Sequence, residues 1–451
     1  MNFDIEVGHS RVNISPMLGI NIDGYYHDRI CDGILDEIEA TAIAVKKNDN
    51  IVLLLSVDAL CLETKFTNEC RELISLKTGV PFEGVFIHAT HPHTTPRASY
   101  EKYKSDLEPV YNAMLKQNLL KASISAIADL KPARMGYAVS EAKNVAFNRR
   151  YLMKDGSAKT NPGVNNPDIV KSIGLLDERV NVVRFNREDG FNIVIINFAN
   201  HPDTIGGTKI SGDWPALTRN VFEKAIDNSK CVVFNGAEGD INHVNVFPKG
   251  GDLNDMIVDF DDVTRGYGHA KHIAKVMAAS AMAVYDKVYY AEVDKINCLQ
   301  QAIQIPSNMP KPEEMEEARY IKKMHDEGRD IELPYKGMWL TTMVAGATRR
   351  IRLEHGPEFF TLNTSFVSIG SVAFVGIPGE PFTGIGIEIK KTKDFDMVMP
   401  CCLTNGDEGY FPLKDSYDEG GYEAQSSPFK AGVAEILIEK CLENLSKLKN
   451  K

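Results

Sequence analysis

The chain has 451 residues, with 51 basic side chains against 62 acidic ones and a formal net charge of −11. This acidic balance disfavours extended binding to nucleic acids or to anionic membranes, because both need clustered Lys and Arg. A hydrophobic content of 43%, with 34 Gly and 21 Pro, excludes collagen-like and low-complexity chains and is typical of a globular protein.

The sequence predicts neither a membrane span nor a targeting segment. Its longest uncharged apolar runs are far shorter than the roughly 20 residues needed to cross a bilayer. The first six residues include Asp4 and Glu6, where a signal peptide would carry basic residues, so we predict a cytoplasmic location. The eight cysteines include no Cys-x-x-Cys pair, and we expect them to be reduced, buried thiols.

Apolar runs rich in β-branched and aromatic residues predict five buried strands that end directly in polar residues. They cover residues 50–58, 84–91, 192–201, 231–235 and 371–380. Helical patterns lie at residues 31–47, 63–78, 106–129, 216–227, 264–286, 312–327 and 431–447. This alternation predicts an α/β fold in which a mixed sheet is covered by helices. We expect a single large catalytic domain over residues 1–451, with a helical insertion at about 306–365.

Polar residues cluster where the predicted strands end, and ligands of open α/β sheets bind outside the carboxyl ends of the strands. His91 and His93 follow the predicted strand at 84–91 with one proline between them. Residues i and i+2 of an extended segment project to the same side, so these two imidazoles can reach one metal ion or one substrate. The alternative is a pair of surface histidines satisfied by hydrogen bonds in a turn.

Three further strand ends carry candidate ligands or catalytic groups. His201 ends the strand at 192–201, where a lone histidine is also compatible with a structural role. Glu238 and Asp240 follow the strand at 231–235, where carboxylates can orient water or hold a ligating imidazole, or simply face solvent. Glu380 ends the strand at 371–380. Together with the tyrosines that follow, the set predicts a Zn²⁺ site with one position open to water.

The same residues fall in motifs that resemble those of the neutral/alkaline non-lysosomal ceramidases and their uncharacterised bacterial relatives. Six motifs occur in the family's order, and the likeness runs from Ile20 to Glu423. The motifs are Thr90-His91-Pro92-His93-Thr94-Thr95-Pro96, Asn148-Arg149-Arg150-Tyr151, Phe198-Ala199-Asn200-His201-Pro202, Gly239-Asp240-Ile241-Asn242-His243, Pro378-Gly379-Glu380-Pro381-Phe382-Thr383 and the run from Tyr410 to Tyr422-Glu423.

The resemblance implies roles for individual residues. It implies a Zn²⁺ ion held by His91, His201, Glu380 and Tyr410. It also implies that His93 lies near the reacting carbonyl and that Arg149 contacts an anionic group of the substrate. Tyr422 is implied as a hydroxyl donor to the developing oxyanion.

One position departs from the family pattern. The ceramidases carry their catalytic serine in a Ser-Asn-x-Gly-Asp run, and here Gly236 occupies the serine position, where its backbone can approach the substrate. Without that hydroxyl we expect attack by zinc-bound water, with Glu238, Asp240 or His93 taking its proton. The family's secretion signal and C-terminal sandwich domain are not recognised in the sequence. These differences favour a smaller soluble substrate over ceramide.

We therefore predict a zinc-dependent hydrolase that cleaves an amide or related carbonyl bond in a small polar molecule. One alternative is a metal-dependent lyase or isomerase acting on a sugar or cyclitol, with His93 or Glu238 abstracting a proton. The other is a non-catalytic homologue that binds a ligand at a retained zinc site. Acidic residues at 252–262 predict a solvated loop, with a cation site as the alternative. The expected partner is a small-molecule substrate, and the sequence does not define an oligomeric state.

Overall fold

Nine strands form the main sheet. The computed structural model describes residues 3–100, 103–248, 257–258 and 264–451, and the side chains of the predicted acidic loop at 252–262 lie outside the described residues. In chain order the strands are β1 (Ile5–Asn13), β2 (Glu39–Lys47), β3 (Asn50–Val57), β4 (Val85–Ala89), β5 (Lys131–Glu141), β6 (Arg179–Arg187), β7 (Asn192–Phe198), β8 (Ser229–Asn235) and β9 (Tyr289–Ala291). Their order in space is β8-β7-β6-β5-β1-β2-β3-β4, and β9 pairs with β5.

The main sheet is mixed, and it curls until its two edges meet. Neighbouring strands are antiparallel except for the parallel pairs β3 with β4 and β7 with β8. The edge strands β4 and β8 approach each other, because the backbone N–H of Asn235 donates to His88 Nε2 at 2.9 Å. The Ser56 hydroxyl of β3 also donates to the Val233 carbonyl of β8 at 2.7 Å. The carboxyl ends of both parallel pairs are thereby brought to one place.

A second sheet packs on the inner face of the first. Its strands are β10 (Ile296–Pro306), β11 (Phe359–Ile369), β12 (Val372–Gly376) and β13 (Met397–Cys401), in that spatial order. Only β12 and β13 are parallel. The rings of Phe86, Phe234 and Phe374 meet between the two sheets, with centroids 5.9 to 6.4 Å apart.

Helices cover the outer faces of both sheets. In the described part of the chain they are α1 (Thr64–Thr78), α2 (Leu107–Ala128), α3 (Asp213–Ala225), α4 (Tyr267–Tyr285), α5 (Met315–Asp326), α6 (Gly337–Leu353), α7 (Thr383–Ile389), α8 (Lys414–Glu419), α9 (Tyr422–Ser426) and α10 (Val433–Asn450). Short 3₁₀ turns lie at Phe82–Gly84, Pro312–Glu314 and Asp330–Glu332. Helices α1 to α4 pack on the main sheet, and α7 and α10 pack on the second. The layers run helix, sheet, sheet, helix, which confirms the predicted α/β class.

Burial on both faces explains why the strands read as continuous apolar runs. In β12, Val372 and Phe374 face the main sheet, whereas Ala373 and Val375 face α7 and α10. A strand between two packed layers needs apolar side chains at every position, so alternation of polar and apolar residues is lost.

The predicted helix at 31–47 is wrong. This segment forms the short strand Gly33–Ile34 and then β2, which lies between β1 and β3. The alanines of β2 suit a helix, but they face the side that α1 and α2 cover, and Ile43 and Val45 face the second sheet. Burial of both faces inside the sheet outweighs the helix propensity of alanine.

Helices α5 and α6 lie between two strands that pair with each other, β10 and β11. The segment 306–365, predicted as an insertion, contains both helices and the first part of β11. The helices pack on each other through a separate apolar cluster that includes Ile321 and Val344. The domain boundaries stay a prediction.

Short strands surround the carboxyl ends of the main strands. The pairs are Asn21–Ile22 with Arg29–Ile30, Gly33–Ile34 with Lys209–Ile210, Phe147–Asn148 with Ile241–Asn242, Ile257–Val258 with Thr264–Arg265 and Glu380–Pro381 with Tyr410–Phe411. A three-stranded sheet contains Arg150–Met153, Ala158–Thr160 and Ile169–Ser172. These short pairings fix the site loops against each other. Within the described ranges, no helix has the length and apolar character that a membrane crossing requires.

Candidate metal centre

Three histidines follow the carboxyl ends of β4 and β7. His91 has a φ of 73°, a left-handed conformation that is uncommon for residues other than glycine. Its N–H donates to the Ala59 carbonyl at 3.0 Å, and the N–H of His93 donates to the Pro202 carbonyl at 3.1 Å. The second bond ties the loop of His93 to the loop of His201. Backbone strain held by such bonds is typical of functional sites.

The three imidazole rings meet at their Nε2 atoms. The Nε2–Nε2 distance is 3.2 Å from His91 to His201, 3.2 Å from His91 to His93 and 3.1 Å from His93 to His201. All three side chains are buried. Three nitrogens around a tetrahedral zinc, at Zn–N distances of about 2.0–2.1 Å, lie about 3.3–3.4 Å apart. The triangle therefore has nearly the size of a three-nitrogen face of a zinc site.

A hydrogen bond on the far side of the His91 ring leaves a lone pair on its Nε2, at the point where the three rings meet. His91 Nδ1 lies 2.6 Å from the Leu60 carbonyl, which can only accept, so Nδ1 carries the proton and Nε2 is bare in the neutral ring. Burial lowers the pKa of His91. Burial, reinforced by the charge of Arg149, lowers the pKa of His201 well below its ordinary value. Neutral imidazole is the form that binds metal ions.

Glu380 brings a carboxylate to the same point. Its Oε2 lies 3.6 Å from His91 Nε2 and 3.8 Å from His201 Nε2. Burial raises the pKa of Glu380 to about 8, against the opposing effect of a hydrogen bond from the Tyr410 hydroxyl. Tyr410 is held beside Glu380 because the two residues pair between short strands. Burial raises the pKa of Tyr410 well above its ordinary value.

Glu238 is a second buried carboxylate at this centre. Its ligand atom lies within 4.8 Å of those of His91, His201 and Glu380. Within the described ranges neither of its oxygens forms a hydrogen bond with a nitrogen or a hydroxyl group, although the Cys402 thiol lies close. Burial, followed by the nearby charge of Glu380, raises the pKa of Glu238 well above its ordinary value. Two buried carboxylates in such proximity are costly unless a cation or a proton accompanies them.

Asp240 lies in the same loop but its oxygens are engaged elsewhere. Oδ1 accepts from the backbone N–H and the hydroxyl of Thr383 at 2.7 and 2.8 Å, and Oδ2 lies 3.3 Å from Asn148 Nδ2. Burial raises its pKa, and the bonds from Thr383 counteract that rise. Asp240 thus joins α7 to the loop of Asn148 and does not belong to the histidine group.

Gly236 and Gly239 allow backbone segments to pack closely beneath the centre. The N–H of Gly236 donates to the Phe198 carbonyl at 2.8 Å, and a Cβ at this position would lie 3.0 to 3.2 Å from atoms of Ala199. A Cβ on Gly239 would lie 2.5 Å from the Glu380 carbonyl oxygen. The position that holds serine in the ceramidase motif therefore has little room for any side chain.

Arg149 is held by a network rather than left free. Its Nε donates to Glu423 at 2.6 Å and its Nη2 donates to the Gly239 carbonyl at 2.8 Å. Nη1 lies 3.4 Å from His201 Nδ1. Glu423 is fully buried and also accepts from the Thr160 hydroxyl at 2.9 Å. The sequence motif included Glu423 but assigned it no role, and its buried partners now indicate one in holding Arg149.

Tyr422 lines a small cavity above the histidines. This central cavity has a volume of about 40 Å³ and reaches His93, Arg149, His201 and Tyr422. The hydroxyl of Tyr422 lies 3.4 Å from that of Tyr26. Burial raises the pKa of Tyr422 well above its ordinary value, so its phenol stays protonated and can donate.

Asp203 and Tyr25 are site residues that sequence reasoning missed. Asp203 Oδ1 accepts from the Tyr25 hydroxyl at 2.7 Å and lies 3.5 Å from His93 Nδ1. A carboxylate behind an imidazole fixes its orientation and tautomer. The position of Asp203, two residues after His201, was the one signal in the sequence that could have found it.

The residues of the centre could hold a metal ion. The Nε2 atoms of His91 and His201 lie beside the Glu380 carboxylate, and Glu380 Oε2 has no hydrogen-bond partner among the described residues. Nitrogen and carboxylate donors in this number are those that catalytic zinc sites use. His91 and His201 belong to both possible donor groups, one completed by His93 and the other by Glu238 and Glu380.

Two solved structures share this fold. A neutral ceramidase from Pseudomonas aeruginosa superposes with a TM-score of 0.73 at 14% sequence identity, covering 99% of this chain and 75% of its own. A ceramidase complexed with C2 gives a TM-score of 0.74 at 15% identity, with the same coverage of 99% and 75%. The sequence matches no family model and no curated protein. The protein has a neutral ceramidase-like fold, as its motifs imply.

Proposed function

We propose that this protein is a zinc-dependent hydrolase that cleaves an amide or related carbonyl bond in a small polar substrate. The observation that carries the proposal is the meeting of three imidazole nitrogens within 3.2 Å of one another beside the carboxylate of Glu380. The ceramidase-like fold supports a hydrolase.

The ligands that we propose are His91, His201 and Glu380. We prefer a ligand set that includes Glu380, because direct contact with a cation offsets the cost of burying its carboxylate. If the ion were bound by the three histidines alone, the buried charge of Glu380 would lack that contact. His93 then lies beside the open position. Tyr410, whose hydroxyl bonds to Glu380, is the further ligand that the family resemblance implies. When bound, zinc polarises a carbonyl oxygen and lowers the pKa of a water molecule to about 7.

Glu238 is the base in this proposal. Its carboxylate lies at the centre with no nitrogen or hydroxyl partner among the described residues, and burial raises its pKa, which makes it a stronger base than an exposed carboxylate. It takes a proton from the attacking water as the water oxygen bonds to the carbonyl carbon. The carbon–nitrogen bond then breaks, and the proton passes from Glu238 to the leaving amine. Asp240 is the poorer candidate because Thr383 and Asn148 contact its oxygens.

Tyr422 lines the central cavity and donates a hydrogen bond to the oxyanion that develops on the substrate, and His93 lies beside it in the same cavity. Arg149 lines the same cavity, but Glu423 and Gly239 already engage two of its nitrogens. We therefore assign Arg149 mainly to joining Glu423 to the Gly239 loop beside His201. Gly236 supplies no hydroxyl, which favours direct attack by water over an acyl-enzyme route.

A polar substrate suits the larger cavity next to the centre. This acidic cavity has a volume of about 1090 Å³ and opens onto Glu380, Tyr410 and Tyr422. Six carboxylate side chains line it, together with three cationic ones; the carboxylates are Glu63, Glu69, Glu72, Glu380, Asp407 and Glu408. Such a surface disfavours a long hydrocarbon chain, because burying these charges against it would leave them unsolvated.

The test combines metal analysis with activity. The wild-type protein and the variants His91→Ala, His201→Ala and His272→Ala are loaded with zinc, dialysed and analysed for bound metal. His272 is an exposed histidine of α4 and is the matched control. We expect one zinc per chain in the wild type and the control, and loss of that zinc in the other two variants. Stoichiometric zinc in His91→Ala would refute the proposed centre.

Activity is measured on a panel of small amides and lactones in ¹⁸O-labelled water. Hydrolysis incorporates one ¹⁸O atom into the carboxylate product, whereas a lyase or isomerase incorporates none. Turnover without label would favour the lyase or isomerase over the hydrolase. No turnover by a fully zinc-loaded protein would favour the non-catalytic homologue.

A further inference from the structure

A third cavity adjoins the centre and shares no lining residue with the acidic cavity. It has a volume of about 600 Å³ and shares Thr160, Asn161 and Met338 with the central cavity. Trp339, on the first turn of α6, lines it and is 50% exposed. We call it the Trp339 cavity. Thr160 and Asn161 line both cavities, so a group bound in the Trp339 cavity lies next to the central cavity.

The charges of the Trp339 cavity are opposite to those of the acidic cavity. Lys159, Lys336 and Arg350 line it, against the single carboxylate of Asp155. Lys159 Nζ lies 5.9 Å from the ring centroid of Trp339 and 3.6 Å from Asp155. Lys336 is exposed and has no ion-pair partner among the described residues. Arg350 Nε lies 3.3 Å from Glu314, which does not line the cavity. An aromatic face beside the unpaired Lys336 and the ion-paired Lys159 and Arg350 suits an anionic group carried on an apolar or aromatic body.

The opposite charges of the two cavities would therefore orient a bound substrate. Tyr26 and Tyr422 line both the central and the acidic cavity, so the acidic cavity begins where these hydroxyls meet. An amide that spans the centre would place one end among carboxylates and the other among lysines. Hydrolysis of an amide releases an amine, which becomes a cation at neutral pH, and the acidic cavity is the one that attracts it.

We propose that the Trp339 cavity is a second substrate subsite that binds an anionic group, a carboxylate or a phosphate, on the acyl side of the scissile bond. The inference rests on the proposed function for its direction, but the binding itself does not depend on catalysis. It names the substrate class as an amide whose acyl part ends in an anion and whose amine part leaves through the acidic cavity.

The chain's two tryptophans make the proposal measurable. Trp214 lies on α3 and is completely buried against the main sheet, so a ligand in the Trp339 cavity changes the emission of Trp339 alone. Phenylacetate, phenylacetamide and 2-phenylethylamine share one ring and differ in charge. Each is titrated into zinc-loaded protein and again after chelation, with tryptophan fluorescence as the readout. We expect phenylacetate to quench the emission saturably in both forms, and the other two to bind at least about tenfold more weakly.

Variants separate the subsite from nonspecific binding. Lys336→Met is expected to weaken phenylacetate binding about threefold to fivefold, the size of one exposed charge interaction, and Lys159→Met by a similar factor. Lys393→Met removes an exposed lysine elsewhere and should change nothing. Trp339→Phe should abolish the quenching signal without changing the melting temperature. Equal binding of all three probes, or an unchanged affinity for phenylacetate in the Lys159→Met/Lys336→Met double variant, would overturn the proposal.

The outcomes distinguish this proposal from the proposed function. Saturable binding of phenylacetate to a protein that hydrolyses nothing would refute the hydrolase and leave the subsite standing. Hydrolysis with no preference for anionic acyl groups, combined with no quenching by phenylacetate, would refute the subsite and leave the hydrolase standing.

Discussion

At the scale of single residues, Glu238 is the side chain on which the proposed chemistry depends most. Its two oxygens meet no nitrogen or hydroxyl donor in the described ranges, which is unusual for a buried carboxylate and is expected only where a cation or a mobile proton completes the site. Glu238→Gln keeps the shape and removes the base. We predict that turnover falls by about 10²- to 10⁴-fold while zinc binding is retained.

The control for Glu238 is Glu316→Gln, because Glu316 is exposed on α5. Zinc content and turnover are measured on both variants. Near-normal turnover in Glu238→Gln would remove Glu238 from the role of base and return Asp240 and His93 to consideration.

His88 links the two edges of the curled main sheet and predicts a pH-dependent stability. Its Nδ1 donates to the Cys402 carbonyl at 2.7 Å, and its Nε2 accepts from the Asn235 N–H at 2.9 Å. Burial lowers the pKa of His88 to about 4. Between pH 4 and the unfolded value of about 6.5 the unfolded chain binds more protons, so the free energy of unfolding is highest above about pH 6.5 and falls on acidification.

We predict that His88→Gln is less stable than the wild type by about 1–3 kcal/mol at pH 8, because a buried hydrogen bond is lost. This difference should shrink as the pH falls from about 6.5 towards 4, because only the wild type pays to keep His88 neutral. Urea midpoints of wild type, His88→Gln and the exposed-histidine control His272→Gln are compared from pH 4.5 to 8. A stability difference that does not change with pH would contradict the neutral, bridging state of His88.

Much of the candidate site could be predicted from the sequence, because its side chains follow strands directly. His91, His201 and Glu380 sit at strand ends that the apolar runs mark, and the structure gathers them within one group. The engagement of Asp240 by Thr383 could not be predicted in the same way. It depends on a contact between loops that are more than a hundred residues apart, and no local pattern carries that information.

At the scale of elements, a buried ion pair fixes α3 to the carboxyl end of β3. Arg219 of α3 donates from Nη1 and Nη2 to the two oxygens of Asp58 at 2.8 and 2.6 Å, and both residues are buried. Asp58 also accepts from the Thr90 hydroxyl at 3.1 Å, next to His91. The pair therefore supports the loop that carries the first two histidines.

We predict that Arg219→Met destabilises the protein by about 3–5 kcal/mol, because it leaves the charge of Asp58 buried without a partner. Asp58→Asn combined with Arg219→Met should recover part of that loss. Arg329→Met is the control, since Arg329 pairs with Glu327 and Glu332 at the surface and its loss should cost about 1 kcal/mol or less. Urea unfolding measures all three variants. A loss below about 1 kcal/mol in Arg219→Met would contradict the account of this pair.

One predicted element, the helix at 31–47, is wrong. The segment at 31–47 was predicted as a helix, yet its second half forms β2 in the middle of the main sheet. The partner strands β1 and β3 decide its conformation, and they supply backbone hydrogen bonds along the whole of β2. Local propensity is worth only a few tenths of a kcal/mol per residue and is easily outweighed by such pairing.

At the scale of the whole molecule, the layers explain why residues from four separate parts of the chain meet. The curled main sheet joins the ends of β4 and β8, and the second sheet brings Glu380 to the same place from the end of β12. The acidic net charge of −11 is consistent with this arrangement, since carboxylates outnumber cationic side chains six to three in the lining of the acidic cavity. Sequence patterns predicted five of the strands but not the curling, which depends on contacts such as that of His88 with Asn235.

The most direct test of the central claim is anomalous diffraction at the zinc edge from crystals grown with zinc. We predict one strong peak between the three histidines and Glu380, about 2.0–2.1 Å from the Nε2 atoms of His91 and His201. The same peak should be missing from crystals of His201→Ala. A zinc-loaded crystal with no anomalous peak at these residues, or with its peak elsewhere in the molecule, would contradict the claim that this centre holds the catalytic metal.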